Sequence, residues 1–165
     1  LGETYFDLGE YQKSKDHYSK AIWILEHGRF SRSFISLNKI CLARAKVMNS
    51  ERDIDLESLY GYVNENKLRV NDGQLRRYIG EILLNIDDQH MNEAEDWIRK
   101  AIEADKSNGM MFYLGTDHAL YAELLNRRGD KSKAKENLTK AIDILKECGA
   151  DGWVNKYEEQ LASLP

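Results

Sequence analysis

The tripeptide Lys-Ala-Ile occurs three times in the 165-residue chain, at Lys20-Ala21-Ile22, Lys100-Ala101-Ile102 and Lys140-Ala141-Ile142. Each copy closes one pattern: a small residue, three others, a bulky one, two others, then alanine. The instances are Ser14/Tyr18/Ala21, Ala94/Ile98/Ala101 and Ala134/Leu138/Ala141. The alanines stand 80 and 40 residues apart, and a period near 40 predicts a further copy close to residue 61, where Leu56/Tyr60/Val63 supplies it in degenerate form. Repeats of this length stack into a solenoid, an architecture that presents surfaces rather than carries out chemistry.

A second motif precedes the first. Leu1-Gly2 with Tyr5, Ile79-Gly80 with Leu83 and Tyr121-Ala122 with Leu125 each give a large residue, a small one, and another large one a turn later. The small residue is needed where two paired helices cross, because a larger substituent would hold them apart. Ser14, Ala94 and Ala134 are expected to face that crossing from the second helix. Leu42-Ala43 opens the degenerate repeat, with Lys46 in place of the apolar partner. Gly9 and Gly129 mark turns within pairs, and Asn85 to His90 forms a longer turn in the third repeat.

These signals predict helices at about 2–8, 11–27, 30–48, 53–66, 73–86, 91–105, 110–128, 131–147 and 152–163. The expected fold is all-α: a right-handed superhelical solenoid of about four helix pairs. One domain is expected over 1–165, with repeats near 1–28, 30–67, 73–106 and 110–148 and a capping helix at 151–164. Asp151 is the candidate N-cap of that last helix, and Trp153, Tyr157 and Leu161 form its apolar stripe. The chain opens inside a helix, with Leu1, Tyr5 and Leu8 expected to be partly uncovered, so a fragment of a longer protein is expected.

The only proline is Pro165, which suits a nearly all-helical chain. A net charge of −4 with dispersed Lys and Arg argues against a nucleic-acid partner. No apolar run approaches the roughly 20 residues of a membrane helix. Cys41 and Cys148 fall in separate repeats and are expected to be free thiols, consistent with a cytoplasmic location.

The large-small pairs, taken with Ser14/Tyr18/Ala21 and its two counterparts, resemble the tetratricopeptide repeat, whose period is about 34 residues. The longer period here implies longer helices or turns. Three segments, Cys41 to Val47, Arg77 to Leu84 and Glu147 to Val154, resemble the carboxyl-terminal repeat region of large bacterial signalling proteins. In those, a nucleotide cyclase or kinase domain and a STAND-type ATPase precede the repeats. The resemblance implies a non-catalytic interaction or regulatory segment, acting on a protein or peptide or on its own upstream domains.

Candidate chemistry is sparse. No phosphate-cradling glycine loop, CxxC or HExxH occurs. Asp87-Asp88-Gln89-His90 with Glu93 lacks a specific ligand spacing and reads as a capped acidic turn. Asp117 and His118 are adjacent and so project differently from a helix, with His118 expected to be half-buried in the core. Cys41 reads as a core thiol. Trp23 and Trp97 are either partner anchors or inter-repeat packing, with packing favoured, and the same choice applies to Met110-Met111-Phe112. No cofactor, metal or catalytic residue is expected.

The surface left to do work is the concave one. In tetratricopeptide proteins first helices line a groove that holds a peptide, and helical geometry points the residue after the small one, and those three and four beyond, toward it. The candidates are Glu3, Phe6 and Asp7; Arg44, Val47 and Met48; Glu81, Leu84 and Asn85; and Glu123, Asn126 and Arg127. Glutamates in three of the four lead positions suggest a stripe that favours a basic partner segment. Two rival readings are a sensor enclosing a small signalling peptide over Met48, Leu84 and Asn85, and self-association through the uncovered N-terminal helix.

Overall fold

A computed structural model describes residues 1–28 and 30–164. Among the described residues the chain folds into nine α-helices and no strand: α1 (Gly2–Asp7), α2 (Tyr11–His27), α3 (Arg32–Met48), α4 (Leu56–Asn64), α5 (Asp72–Ile86), α6 (Met91–Asn108), α7 (Met111–Arg127), α8 (Lys131–Glu147) and α9 (Asp151–Ser163). A single 3-10 turn at Arg69–Asn71 leads into α5. The helices pair as α1/α2, α3/α4, α5/α6 and α7/α8, with α9 packed on α8. The architecture is the expected all-α tetratricopeptide-like solenoid.

The repeated small residues sit where the pairs cross. Ser14, Ala94 and Ala134 are fully buried, and the Ser14 hydroxyl donates to the Gly2 carbonyl at 2.9 Å. A Cβ at Gly80 would stand 2.6 Å from Ile98 Cγ1 and 3.3 Å from the Ala94 carbonyl oxygen, so only glycine allows α5 to close on α6. Left-handed residues end the first helices at Gly9, Ser50 and Gly129. The third pair instead turns through Asp87, whose carboxylate accepts the backbone N–H groups of Gln89 and His90.

The apolar faces merge into one core running from α1 to α7, centred on Ile79, Leu83, Ile98 and Leu124, and a smaller one where α7, α8 and α9 meet around Leu138 and Leu145. Several details differ from expectation. The fourth helix is shorter than 53–66, because Asp55 caps it from outside by accepting the Ser58 N–H. Asp151 is the first residue of α9 and Ala150 its N-cap, without a side-chain cap. Trp97 stacks on Tyr60 at 5.5 Å as packing requires, but Trp23 is 61% exposed and, among the described residues, stacks only on His27 of its own helix. No described helix is long and apolar enough to cross a membrane.

Candidate functional site

The first helices of all four pairs, together with α9, enclose a cavity of about 470 Å³ on the concave side. Of the sequence-predicted residues, Glu3, Phe6, Asp7, Arg44, Met48, Glu81 and Glu123 line it. Leu84 and Val47 do not: each is only 3% exposed and belongs to the core. Asn85, Asn126 and Arg127 also lie outside the lining. Arg127 instead ties α7 to the end of α5, donating to the Leu84 carbonyl at 2.7 Å and to Asn85 Oδ1 at 2.8 Å.

The reason is rotation along the solenoid. Successive pairs turn against one another, so a fixed register does not track one surface. The cavity runs along α1 and the end of α3 but crosses the earlier turns of α5 and α7. There Arg77 and Tyr78 on α5, and Tyr113 and Thr116 on α7, take the places expected for residues further along. The far wall is Trp153, Lys156 and Tyr157 of α9, which is therefore more than a cap. Aromatic density is the signal that marks the cavity: Phe6, Tyr11, Tyr78, Phe112, Tyr113, Trp153 and Tyr157 all face it.

The expected acidic stripe is largely neutralised. Arg44 donates from Nη1 to Glu3 at 2.8 Å and from Nε to Glu81 at 2.6 Å, while its guanidinium lies between the Phe6 and Tyr78 rings, 3.5 and 4.3 Å from their centroids. Tyr18 and Tyr78 also donate to Glu3. Burial would raise the Glu3 carboxyl, but Arg44 and these hydrogen bonds overcome it and hold it below the usual carboxylate range. Arg44 thus locks α1, α3 and α5 together as the floor. Glu123 pairs with Arg127 in a half-exposed contact. Among the described residues the Asp7 side chain has no hydrogen-bond or ion-pair partner, and burial and the neighbouring Glu3 push its carboxyl up.

Behind the wall lies a cluster that sequence reading missed. Asp105 of α6 and Asp117 of α7 are both fully buried, facing each other beside Gly73 of α5, where an added Cβ would stand 2.1 Å from the Asp105 carboxyl carbon. Among the described residues, both Asp105 oxygens and Asp117 Oδ2 lack any donor. Arg77 reaches Asp117 Oδ1 at 3.4 Å, a long contact, and also donates to the Thr116 hydroxyl. Burial raises both carboxyls, Asp117 the more. No pattern flagged the pair, because the two residues sit on different helices and Asp117 shares a helix with none of its partners.

The remaining candidates behave as packing. Burial, with Glu3 nearby, pushes the Cys41 thiol up to about 12, which leaves it un-ionised. His118 Nδ1 lies 3.0 Å from Asn137 Oδ1, pointing away from the buried Asp117, and burial lowers its basicity. His90 Nδ1 meets Asp87 at 2.7 Å, and no set of three or more His, Cys, Asp or Glu among the described residues could hold a metal. Phe112 turns to the cavity, edge-on to Trp153 at 6.1 Å, whereas Met111 stays exposed.

Residues 1–22 match the tetratricopeptide repeat family model. No curated protein and no solved structure matches the chain.

Proposed function

We propose that this chain is a non-catalytic binding module whose concave cavity takes a short segment of a partner protein, with a basic side chain set against Asp7 and Glu123. Tetratricopeptide repeats generally mediate protein–protein interaction, and the match over residues 1–22 supports that setting here. The observation that carries the reading is the aromatic cavity of about 470 Å³. Rigid aromatic walls give large contact area at small entropic cost. Among the exposed charges at its mouth, Asp7 has no ion-pair partner among the described residues, and the Glu123–Arg127 pair is solvent-screened and easily exchanged. The resemblance of Cys41 to Val47, Arg77 to Leu84 and Glu147 to Val154 to bacterial signalling proteins supports a cytoplasmic regulatory setting for the module, and the free Cys41 and Cys148 agree with that compartment.

Enclosure by both α1 and α9 favours one version of this reading, in which the ligand is a small signalling peptide held whole. The cavity volume falls within the ~300–1,000 Å³ range of ligand pockets. Self-association remains a separate reading supported by the exposed Leu1 and Leu8; sedimentation at rising concentration tests it, and a mass unaffected by Leu8→Glu removes it.

A random peptide library displayed against the chain tests the main proposal. Enriched sequences should carry Lys or Arg beside apolar residues and should be lost with Asp7→Lys/Glu123→Lys. Enrichment of acidic peptides, or none at all, overturns it.

A further inference from the structure

The buried carboxyls of Asp105 and Asp117 do nothing for the packing of α6 on α7 that apolar residues would not do better, since a buried polar group without a partner is costly. Three of their four oxygens have no donor, yet the two groups face each other. Two ionised carboxylates can only accept; one proton between them supplies the missing donor and removes a buried charge. Gly73 is what lets them meet, because a Cβ there would occupy the space of the Asp105 carboxyl.

From this geometry we infer that Asp105 and Asp117 form a proton-sharing pair whose protonation sets the position of Arg77 on the cavity wall, making the cavity responsive to pH. The effect on partner binding rests on the function proposed above; the titration itself does not.

Arg77 is the cation that answers the pair. On α5, Asp72 is the next charged group near Asp105, and Arg76 is engaged with it. Arg44 of α3 is held by Glu3 of α1 and Glu81 of α5. On α6, Lys106 is exposed, and on α7, His118 turns to Asn137 of α8. Tyr157 of α9 faces Arg77 and Glu81 from across the cavity.

With the shared proton present, Arg77 holds Asp117 only at 3.4 Å and spends its donors on Thr116 and the Tyr113 carbonyl, beside the cavity. Loss of the proton leaves two buried anions. The guanidinium is then drawn inward to an ordinary charge-assisted distance of about 2.8 Å, off Thr116 and off the Tyr113 ring it now faces at 5.3 Å. The cavity loses a positive charge from its wall, so Asp7 and Glu123 weigh more against the remaining Lys156 and the paired Arg44. Raising pH through this step therefore strengthens the hold on a basic segment.

The test is an NMR titration of the whole chain without ligand, following the aspartate carboxyl carbons, the Arg77 Nε–H and the Trp153 indole N–H. A carboxyl step far above the ordinary aspartate range, with the Arg77 signal moving at the same midpoint, is expected. Asp117→Asn should abolish the step, and Asp105→Asn should do so independently if the first variant fails to fold. Both carboxyls titrating in the ordinary range, or an Arg77 signal that ignores their step, overturns the inference. A normal step with peptide binding that does not change across it overturns the link between the pair and the cavity, whereas a normal step with no peptide binding at all removes the groove function and leaves the titration standing.

Discussion

Asp117→Asn should change how stability depends on pH, and the size of the change follows from the buried pair. In the folded chain the Asp117 carboxyl is pushed up to about 8, chiefly by burial, whereas in the unfolded chain an aspartate titrates near about 3.9. Between those values the native state holds a proton that the unfolded chain has released, so stability falls as pH rises and levels off above the folded value. Each pH unit in the window costs about 1.4 kcal/mol per proton. From about pH 5.5 to about pH 7.5 the wild type should lose about 2–3 kcal/mol relative to the variant, or about 5–10 °C in Tm for a chain of this size. His118, whose basicity burial lowers, acts with the opposite sign below about pH 6.5, but it is present in both proteins and cancels in the comparison. Carboxyls held low, such as Glu3 and Glu95, act only at still lower pH. Urea unfolding followed by circular dichroism at several pH values measures the difference. Parallel curves for the two proteins would refute the idea that the pair holds a proton.

Three further substitutions probe the frame of the cavity. Arg44→Ala leaves the half-buried Glu81 without its cation and Glu3 with only tyrosine donors; it should cost about 3 kcal/mol, the lower end for a broken buried pair because both carboxylates are partly exposed, read by chemical denaturation. Gly80→Ala drives a methyl group into Ile98, and the strain should outweigh the gain in helix propensity, for a net loss of about 1–2 kcal/mol in the same assay. Trp97→Ala should cost about 2 kcal/mol or more through the lost Tyr60 contact, while Trp23→Ala should fall within about 0.5 kcal/mol of wild type, as thermal melts of both would show.

Helix pairing was legible because it follows from local chemistry: the small residues at Gly80, Ala94 and Ala134 recur at fixed spacing and bury, as do Ala101 and Ala141 of Lys-Ala-Ile, while Ala21 is half-buried. The degenerate second repeat was also placed, although Asp55 starts its second helix later than the periodicity suggested. The cavity was legible only in part. Glu3, Arg44, Glu81 and Glu123 all reach it, but their charges could not be summed from sequence, because Arg44 joins Glu3 and Glu81 across three helices. Leu84, Asn85, Asn126 and Arg127 were assigned to it by extending one register along every first helix, and inter-repeat rotation defeats that extension. Asp105 and Asp117 carried no sequence signal, since only folding sets an aspartate at the end of α6 against one inside α7.

A partner segment bound in the aromatic cavity would touch α1, α5, α7 and α9 at once. The most direct measurement maps chemical-shift changes when a display-selected basic peptide is added to the isotope-labelled chain. The largest shifts are expected at the Trp153 indole, the Tyr113 and Phe112 backbone and the Arg77 Nε–H, with α4 and α8 unmoved. Shifts confined to the outer faces of α2, α4, α6 and α8, with the Trp153 and Arg77 signals unchanged, would contradict it.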